Sequence, residues 1–199
     1  MTLDPVLKEA AFAELAFEAD RLLEAWNELR ARVAKGDSVL AGNPIAESTA
    51  RWDCADRMLT HAVRIDRILQ PQKGQDSPES QKAREETAAE LGKLVNLSLS
   101  HREKFRAARN SIEHSDERLP GFVDANPKKA LGPFSVGPDA DQGIKRNYVP
   151  LRALNTLTWD CTVIGDRVNL KELVDAVRDI KFHLPSPGVS PKFIPRDEW

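Results

Sequence analysis

Apolar residues recur every three or four positions through the first part of the chain, with polar residues between them. The first such stripe consists of Leu7, Ala11, Leu15, Leu22, Trp26, Leu29 and Val33. Asp4 and Pro5 favour the cap and the first turn of a helix, and Lys35-Gly36 suits its end. The pattern predicts a long amphipathic helix over residues 4–35.

A second stripe follows a predicted loop at Gly42-Asn43-Pro44. It consists of Trp52, Ala55, Leu59, Ala62, Ile65 and Leu69. This spacing predicts a second helix over residues 47–70, followed by a polar loop between Pro71 and Pro78.

A third helical segment begins at Ser77-Pro78-Glu79, with a serine cap and a proline at the first helical position, and continues to Leu119. A helix of about 40 residues is longer than globular proteins normally use, so we expect a bend or a short break. The weakest point is Asn96 to Ser100, because serine and asparagine side chains compete for backbone hydrogen bonds. Beyond it, the core stripe consists of Phe105, Ala108, Ile112 and Leu119. Three long segments, bending into four, predict a bundle of antiparallel helices.

The chain changes character at Pro120, where prolines and glycines become frequent and predict an irregular surface segment. Near alternation of apolar and polar residues over 148–168, with a turn at Gly165-Asp166, predicts two or three short strands. Asn169 can cap a last helix over 170–182, and Pro185 to Trp199 should form an extended tail. We therefore expect a mainly α fold. Residues 1–119 form a helical bundle, and residues 120–199 add an irregular insertion, a β-hairpin and a C-terminal helix to the same domain.

Composition limits the classes of partner. The chain has a formal net charge of −2 and a pI of about 6.1, so any contact with RNA must come from a local basic patch. No apolar run approaches the roughly 20 residues of a membrane span, and the N-terminus does not resemble a signal peptide. We expect a cytoplasmic protein without membrane contact. Cys54 and Cys161 then favour two buried reduced thiols over one disulfide.

The candidate chemistry lies in the stretch Arg109-Asn110-Ser111-Ile112-Glu113-His114. A histidine that titrates near neutral pH can move a proton, while a guanidinium can hold a phosphate. The stretch resembles the R-N-x-x-x-H signature of the HEPN superfamily, helical RNase and nucleotide-binding domains of prokaryotic toxins and defence systems. The resemblance covers about 10 residues. It implies a HEPN-like helical bundle for the fold.

The resemblance also implies roles for the matching residues. His114 would transfer protons, Arg109 would hold the phosphate, and Asn110 would position them, in a metal-independent reaction without a cofactor. Two subunits of the family often pair so that both motifs line one cleft, which implies a homodimer. One variant of the family signature, R-x-x-x-x-H-x-Y, has a tyrosine two residues after the histidine. This sequence departs from that variant, because Asp116 stands at the tyrosine position. Asp116 and Glu117 also place negative charge beside the expected phosphate site.

Helical geometry places Asn110 and His114 on one face, roughly opposite Ile112, so this ridge should point out of the core. We expect the side chains of both Arg109 and His114 to point away from the core. The alternative is an ordinary solvated face, on which Arg109 and Glu113 form an exposed ion pair.

Three arginines stack on one ridge of the same helix. Arg102, Arg106 and Arg109 are spaced four and three residues apart, and their repulsion favours an anionic partner. Arg102 and Arg106 are therefore candidate substrate-binding residues.

The remaining candidates point to structural roles. No histidine has a glutamate three residues before it and no Cys-x-x-Cys pair occurs, so we expect no metal site. His101 lies on an apolar stripe and should be buried and hydrogen-bonded, whereas His61 and His183 stand alone. The tryptophans Trp26, Trp52 and Trp159 fit core stripes. The segment from Arg146 to Tyr148, with Arg152, could touch a nucleic-acid backbone, but a solvated strand edge explains it as well.

Two functions fit these features. The first is a metal-independent endoribonuclease of toxin or phage-defence type, with RNA as substrate and an antitoxin or another protein as partner. The second is a noncatalytic HEPN-like helical module that uses the same ridge to bind a protein or a nucleotide.

Overall fold

A computed structural model describes residues 5–36, 44–71, 77–140 and 148–184. The helices in these ranges are α1 (Pro5–Ala34), α2 (Pro44–Leu69), α3 (Pro78–Leu94), α4 (Leu99–Glu113), α5 (Ser115–Asp124) and α6 (Leu170–His183). The strands are β1 (Ala130–Gly132), β2 (Ser135–Gly137), β3 (Tyr148–Pro150), β4 (Arg152–Asn155), β5 (Asp160–Val163) and β6 (Asp166–Asn169). The prediction of a mainly helical fold with a small sheet and a C-terminal helix is confirmed.

The first two helices pack against each other along the predicted stripes. Leu15, Leu22 and Leu29 of α1 are buried, and so are Leu59 and Ile65 of α2. Leu7, which the pattern placed on the first stripe, is exposed instead. Helix α1 ends before Gly36, whose φ of +68° suits a residue without a side chain. Helix α2 begins at Pro44, inside the predicted loop, while Asp4 and Gly42-Asn43 lie outside the described residues.

The long third segment is broken where its serines and asparagine predicted. Asn96 has a φ of +50°, and Ser98 then caps α4. The Ser98 side chain accepts a hydrogen bond from the His101 backbone N–H at 3.1 Å, and the Ser98 backbone N–H donates to the His101 ring at 3.4 Å. This reciprocal pair satisfies two backbone N–H groups at the start of α4.

The helix end predicted at Leu119 is wrong. Helix α4 ends at Glu113, and α5 continues through Pro120 to Asp124. Proline inside a helix removes one backbone hydrogen bond. Contacts with the sheet offset that loss, because Phe122 packs beside Gly165 and Arg118 forms an ion pair with Asp166.

The described strands form a four-stranded sheet and a separate two-stranded sheet, more than the hairpin predicted. Strands β4, β5 and β6 form an antiparallel meander, β2 pairs with β4 in parallel, and β1 pairs with β3 in parallel. The turn predicted at Gly165-Asp166 lies one residue earlier, at Ile164-Gly165, where both residues have positive φ. Residues 148–168 thus hold four strands rather than two or three. Strands β1 and β2 were missed because three-residue strands flanked by glycine and proline show no periodicity.

Helices and sheet share one core. Leu154, Cys161 and Val168 of the sheet are buried in the same cluster as the apolar faces of α1, α2 and α6. Trp26 of α1 meets Trp159 edge to face, with ring centroids 4.7 Å apart. The sheet is therefore part of the domain that carries the helices.

Both cysteines are buried and free, as the sequence predicted. Burial raises the pKa of the Cys54 and Cys161 thiols, so neither is a reactive thiolate near neutral pH. None of the described helices combines the length and the apolar character needed to cross a membrane. The predicted tail, Pro185 to Trp199, lies outside the described residues.

Candidate functional site

His114 occupies the elbow at which α4 ends and α5 begins. Its side chain is half exposed, and Nδ1 lies 3.1 Å from Oε2 of Glu117 in the first turn of α5. With its proton on Nδ1, the ring donates to this carboxylate and presents an unprotonated Nε2, the form that a general base requires. The elbow therefore displays an oriented imidazole at the surface, as the helical spacing predicted.

The elbow itself is held by Arg118. Its Nε donates to the His114 carbonyl oxygen at 3.0 Å, and Nη2 donates to the Asn110 carbonyl oxygen. Nη1 forms the ion pair with Asp166 at the start of β6. One guanidinium thus satisfies carbonyl groups at the end of α4 and connects the elbow to the sheet.

Arg109 does not point away from the core, contrary to the expectation from its spacing. Its Nη1 lies 2.5 Å from Oδ2 of Asp66 on α2, a residue that is completely buried. The Arg109 side chain is only 13% exposed. The ion pair with Glu113 considered as the alternative is present, with Nε 3.7 Å from Glu113, but it is mostly buried rather than solvated. Arg109 joins α4 to α2.

Further polar contacts surround this ion pair at the packing surface of α2 and α4. Gln70 donates to Asp66 at 2.5 Å and to the Arg102 carbonyl oxygen at 3.3 Å. Arg106 donates to the Gln70 side-chain oxygen at 3.1 Å. The three stacked arginines therefore have different surroundings. Arg109 is buried against a carboxylate, Arg106 is exposed beside a neutral amide, and Arg102 is partly buried.

Glu113 receives a second arginine, from α2. Arg67 donates through Nε at 3.1 Å and through Nη2 at 2.7 Å to the same Glu113 oxygen. Together with Asp66, this carboxylate offsets the repulsion between the α4 arginines from within the chain. The presence of Arg109 in the row of α4 arginines is therefore no argument for an external anion.

Asp66 shows two opposing effects on its charge. Burial raises the pKa of the Asp66 carboxyl, and the positive charges of Arg109 and Arg106 and the hydrogen bond from Gln70 offset this only in part. The ionised carboxylate is thus costly to bury and depends on Arg109 for its stability.

Arg109, Asn110 and His114 are not brought together within one chain. Arg109 and His114 leave α4 in directions about 140° apart, the first toward α2 and the second toward solvent. Asn110 contributes a carbonyl oxygen to Arg118. Among the described contacts, those that orient His114 come from Glu117 and Arg118, neither of which the sequence assigned to the site.

The other histidines have structural partners. His101 lies 3.3 Å from Asp179 through Nε2 and is mostly buried, as predicted. His61 lies 2.5 Å from Glu18, a buried carboxylate that also accepts from Arg64 at 3.1 Å. The sequence did not predict this cluster, although Glu18 interrupts the apolar stripe between Leu15 and Leu22.

Within the described ranges, no group of three or more histidine, cysteine, aspartate or glutamate residues is arranged to hold a metal ion. Trp26 and Trp52 are buried, as the stripes predicted, and the guanidinium of Arg152 lies 5.8 Å from the Trp52 ring. Arg146 and Asn147 lie outside the described residues. Comparison of the chain with models of known protein families, with curated proteins and with solved structures finds no match.

Proposed function

We propose that the protein is a metal-independent endoribonuclease in which His114 transfers the proton. The observation that carries this proposal is the half-exposed His114 at the α4–α5 elbow, with Nδ1 on the Glu117 carboxylate. A carboxylate in this position selects the ring tautomer and stabilises the imidazolium that forms when Nε2 takes up a proton. The R-N-x-x-x-H resemblance supplies the substrate class.

The reaction needs no metal. Nε2 of His114 accepts the proton of an RNA 2′-hydroxyl, whose oxygen attacks the adjacent phosphorus. The bond from phosphorus to the 5′-oxygen breaks, and that oxygen takes a proton from a second acid or from water. The products are a 2′,3′-cyclic phosphate and a free 5′-hydroxyl.

Phosphate binding falls to the arginines of α4. Nη1 of Arg109 is engaged by Asp66 and its Nε is buried, so Arg109 can offer a phosphate oxygen at most the Nη2 side of its guanidinium. The exposed Arg106, and Arg102 one turn before it, extend the positive charge along the helix. Asn110 and Arg118 hold the elbow in place. The toxin or phage-defence setting, an antitoxin partner and a cytoplasmic location belong to this proposal.

A second copy of the chain would complete the site. Because Arg109 and His114 diverge within one chain, we propose a homodimer in which two elbows line a shared cleft. We expect sedimentation at micromolar concentration to give twice the 22.2 kDa mass of the chain. A monomer at this concentration would exclude the shared cleft.

The proposed reaction is tested with purified protein and single-stranded RNA in excess EDTA. We expect cleavage that leaves a 2′,3′-cyclic phosphate, because the reaction uses the RNA 2′-hydroxyl and no metal ion. A substrate with 2′-O-methyl groups should resist cleavage. Products with 5′-phosphate ends, or cleavage only after Mg²⁺ is added, would contradict the mechanism.

The burial of Arg109 favours the alternative function, a noncatalytic module that binds a protein or a nucleotide. A phosphate clamp must reach its ligand, and the Arg109 side chain is largely covered by α2. If the wild-type protein forms the dimer but cuts no RNA across a broad panel, the binding module replaces the endoribonuclease.

A further inference from the structure

Two ion pairs of α2 hold their carboxylate inside the protein and their guanidinium outside. Arg64 is 53% exposed and its partner Glu18 is 1% exposed. Arg67 is 63% exposed and its partner Glu113 is 20% exposed. An anion that approaches α2 therefore meets the guanidinium groups first, with the carboxylates behind them. Although each pair is formally neutral, the surface is locally positive.

In two other arginine pairs of the chain both charges are exposed. Arg178 and Asp175 on α6 are exposed to the same degree, 54% and 53%. Arg21 and Glu24 on α1 are both exposed as well. In these pairs the two charges face solvent side by side and cancel at the surface. Arg167 on β6 shares the arrangement of α2, since it is 65% exposed and its partner Asp160 is 6% exposed. The particular feature of α2 is that two such pairs lie three residues apart on one helix, and the pairs of α6 and α1 serve as controls.

Arg106 on α4 extends the positive surface of α2. Helices α2 and α4 pack antiparallel, since Asp66 meets Arg109 while Gln70 meets the earlier Arg106. Arg106 is exposed, and the partner that it contacts, Gln70, is neutral. Arg67 reaches Glu113, the residue before His114. We call Arg64, Arg67 and Arg106 the arginine face, which begins beside the elbow and runs over α2 and α4.

We infer that the arginine face binds the phosphate backbone of a single-stranded nucleic acid. Guanidinium groups match phosphate oxygens in geometry and charge, and a row of them binds the repeating charge of a backbone. The inference rests on the proposed function for the choice of a single strand and of RNA over DNA. It adds Arg64 and Arg67 of α2 to the binding residues expected from α4.

The surroundings favour a nucleic acid over a protein. Arginine is also enriched in protein interfaces, but there it accompanies aromatic and other large apolar side chains in the buried core. In the described parts of α2 and α4, the large hydrophobic residues that are exposed are Ile45 and Leu99, each in the first turn of its helix and outside the arginine face. Exposed acidic residues border the face, Asp53 and Asp56 earlier on α2, Glu103 one turn before Arg106 on α4, and Asp116 and Glu117 at the elbow. A bound strand is thus confined to the surface between them.

Binding is measured by fluorescence anisotropy with a labelled 2′-O-methyl oligonucleotide, which cannot be cleaved by the proposed reaction. We expect Arg64→Gln, Arg67→Gln and Arg106→Gln each to weaken binding several-fold. Each should also reduce the slope of log affinity against log salt by about 0.7, the value for one phosphate contact on a single strand. Arg64→Lys and Arg67→Lys keep the charge and should retain most of the salt dependence.

The matched controls are Arg21→Gln and Arg178→Gln, which remove an exposed arginine beside an exposed carboxylate. We expect them to leave affinity within about twofold, since their pairs cancel at the surface. Arg106→Gln leaves Asp66 with its ion-pair partner Arg109, so its effect on folding should be smaller than that of Arg64→Gln or Arg67→Gln, which each remove the arginine of an ion pair. Equal losses in control and arginine-face variants, or no loss in Arg106→Gln, would overturn the inference.

The outcome is independent of the proposed function. Binding to the uncleavable strand without any cleavage of RNA would refute the endoribonuclease and support the arginine face. Cleavage of RNA together with wild-type affinity in the arginine-face variants would support the endoribonuclease and refute the arginine face. A DNA strand of the same sequence separates the two backbones, because equal affinity shows that charge alone is recognised.

Discussion

Arg109→Ala is expected to lower the free energy of unfolding by about 3–5 kcal/mol, the cost of leaving one partner of a buried ion pair alone. The Asp66 carboxylate would stay buried between α2 and α4 without the cation that lies 2.5 Å from it. Chemical denaturation followed by circular dichroism measures the change. The matched control is Arg106→Ala on the same ridge, which removes an exposed arginine bonded to neutral Gln70 and should cost about 0.5 kcal/mol or less.

The loss of unfolding free energy in Arg109→Ala should depend on pH. Burial already raises the pKa of Asp66 above its ordinary value of 3.8, and losing Arg109 raises it further. An acid with a raised folded-state pKa binds more protons folded than unfolded, so stability rises as pH falls through that pKa toward 3.8. The variant should therefore be closest to wild type in mild acid and furthest from it at neutral pH. Adding Asp66→Asn should recover part of the loss at neutral pH.

An Arg109→Ala variant as stable as wild type at neutral pH would contradict the buried pair. If the loss of stability is observed, a loss of RNA cleavage in the same variant cannot assign Arg109 to the chemistry. Arg109→Lys separates the two roles better. A lysine keeps the positive charge near Asp66 but cannot reproduce planar contacts with a phosphate.

The helices could be predicted because each buries one stripe. The spacing of apolar residues from Leu15 to Leu29 and from Trp52 to Leu69 predicts which face of each helix is buried. It does so without identifying the element that packs on that face. The break near Asn96 was also encoded locally, in side chains that compete for backbone hydrogen bonds. The predicted helical segment ended at Leu119, because proline is typical of a helix stop, whereas α5 continues through Pro120 to Asp124. The contacts of Arg118 with Asp166 and of Phe122 with Gly165 offset the backbone hydrogen bond lost at Pro120. Both partners are distant in the sequence.

The site was predictable only in part, for the same reason. His114 lies at the surface because its position is opposite the stripe through Ile112. The direction of Arg109 depends on Asp66, which lies 43 residues earlier and meets it only when α2 packs on α4. A signal was present, since Asp66 stands between Ala62 and Leu69 on an apolar stripe. A charged residue on such a stripe requires a buried partner, but the sequence does not identify the partner.

His114→Ala is expected to reduce RNA cleavage by about 100- to 10,000-fold, the usual contribution of a proton-transfer group. The variant should keep the stability of wild type, because the His114 side chain is half exposed and its contact with Glu117 is an exposed pair. The matched control is His183→Ala, which removes another exposed histidine whose Nδ1 also bonds an oxygen, the Asp179 carbonyl at 2.8 Å. Initial rates on one RNA measure both variants.

A loss confined to His114→Ala assigns the proton transfer to the elbow. Glu117→Gln should lose less activity than His114→Ala, because an amide oxygen still accepts from Nδ1 but no longer stabilises the imidazolium. Cleavage that persists at the wild-type rate in His114→Ala would place the activity at another site or in a contaminant. Equal losses in His114→Ala and His183→Ala would show a general effect of removing surface histidines rather than chemistry at the elbow.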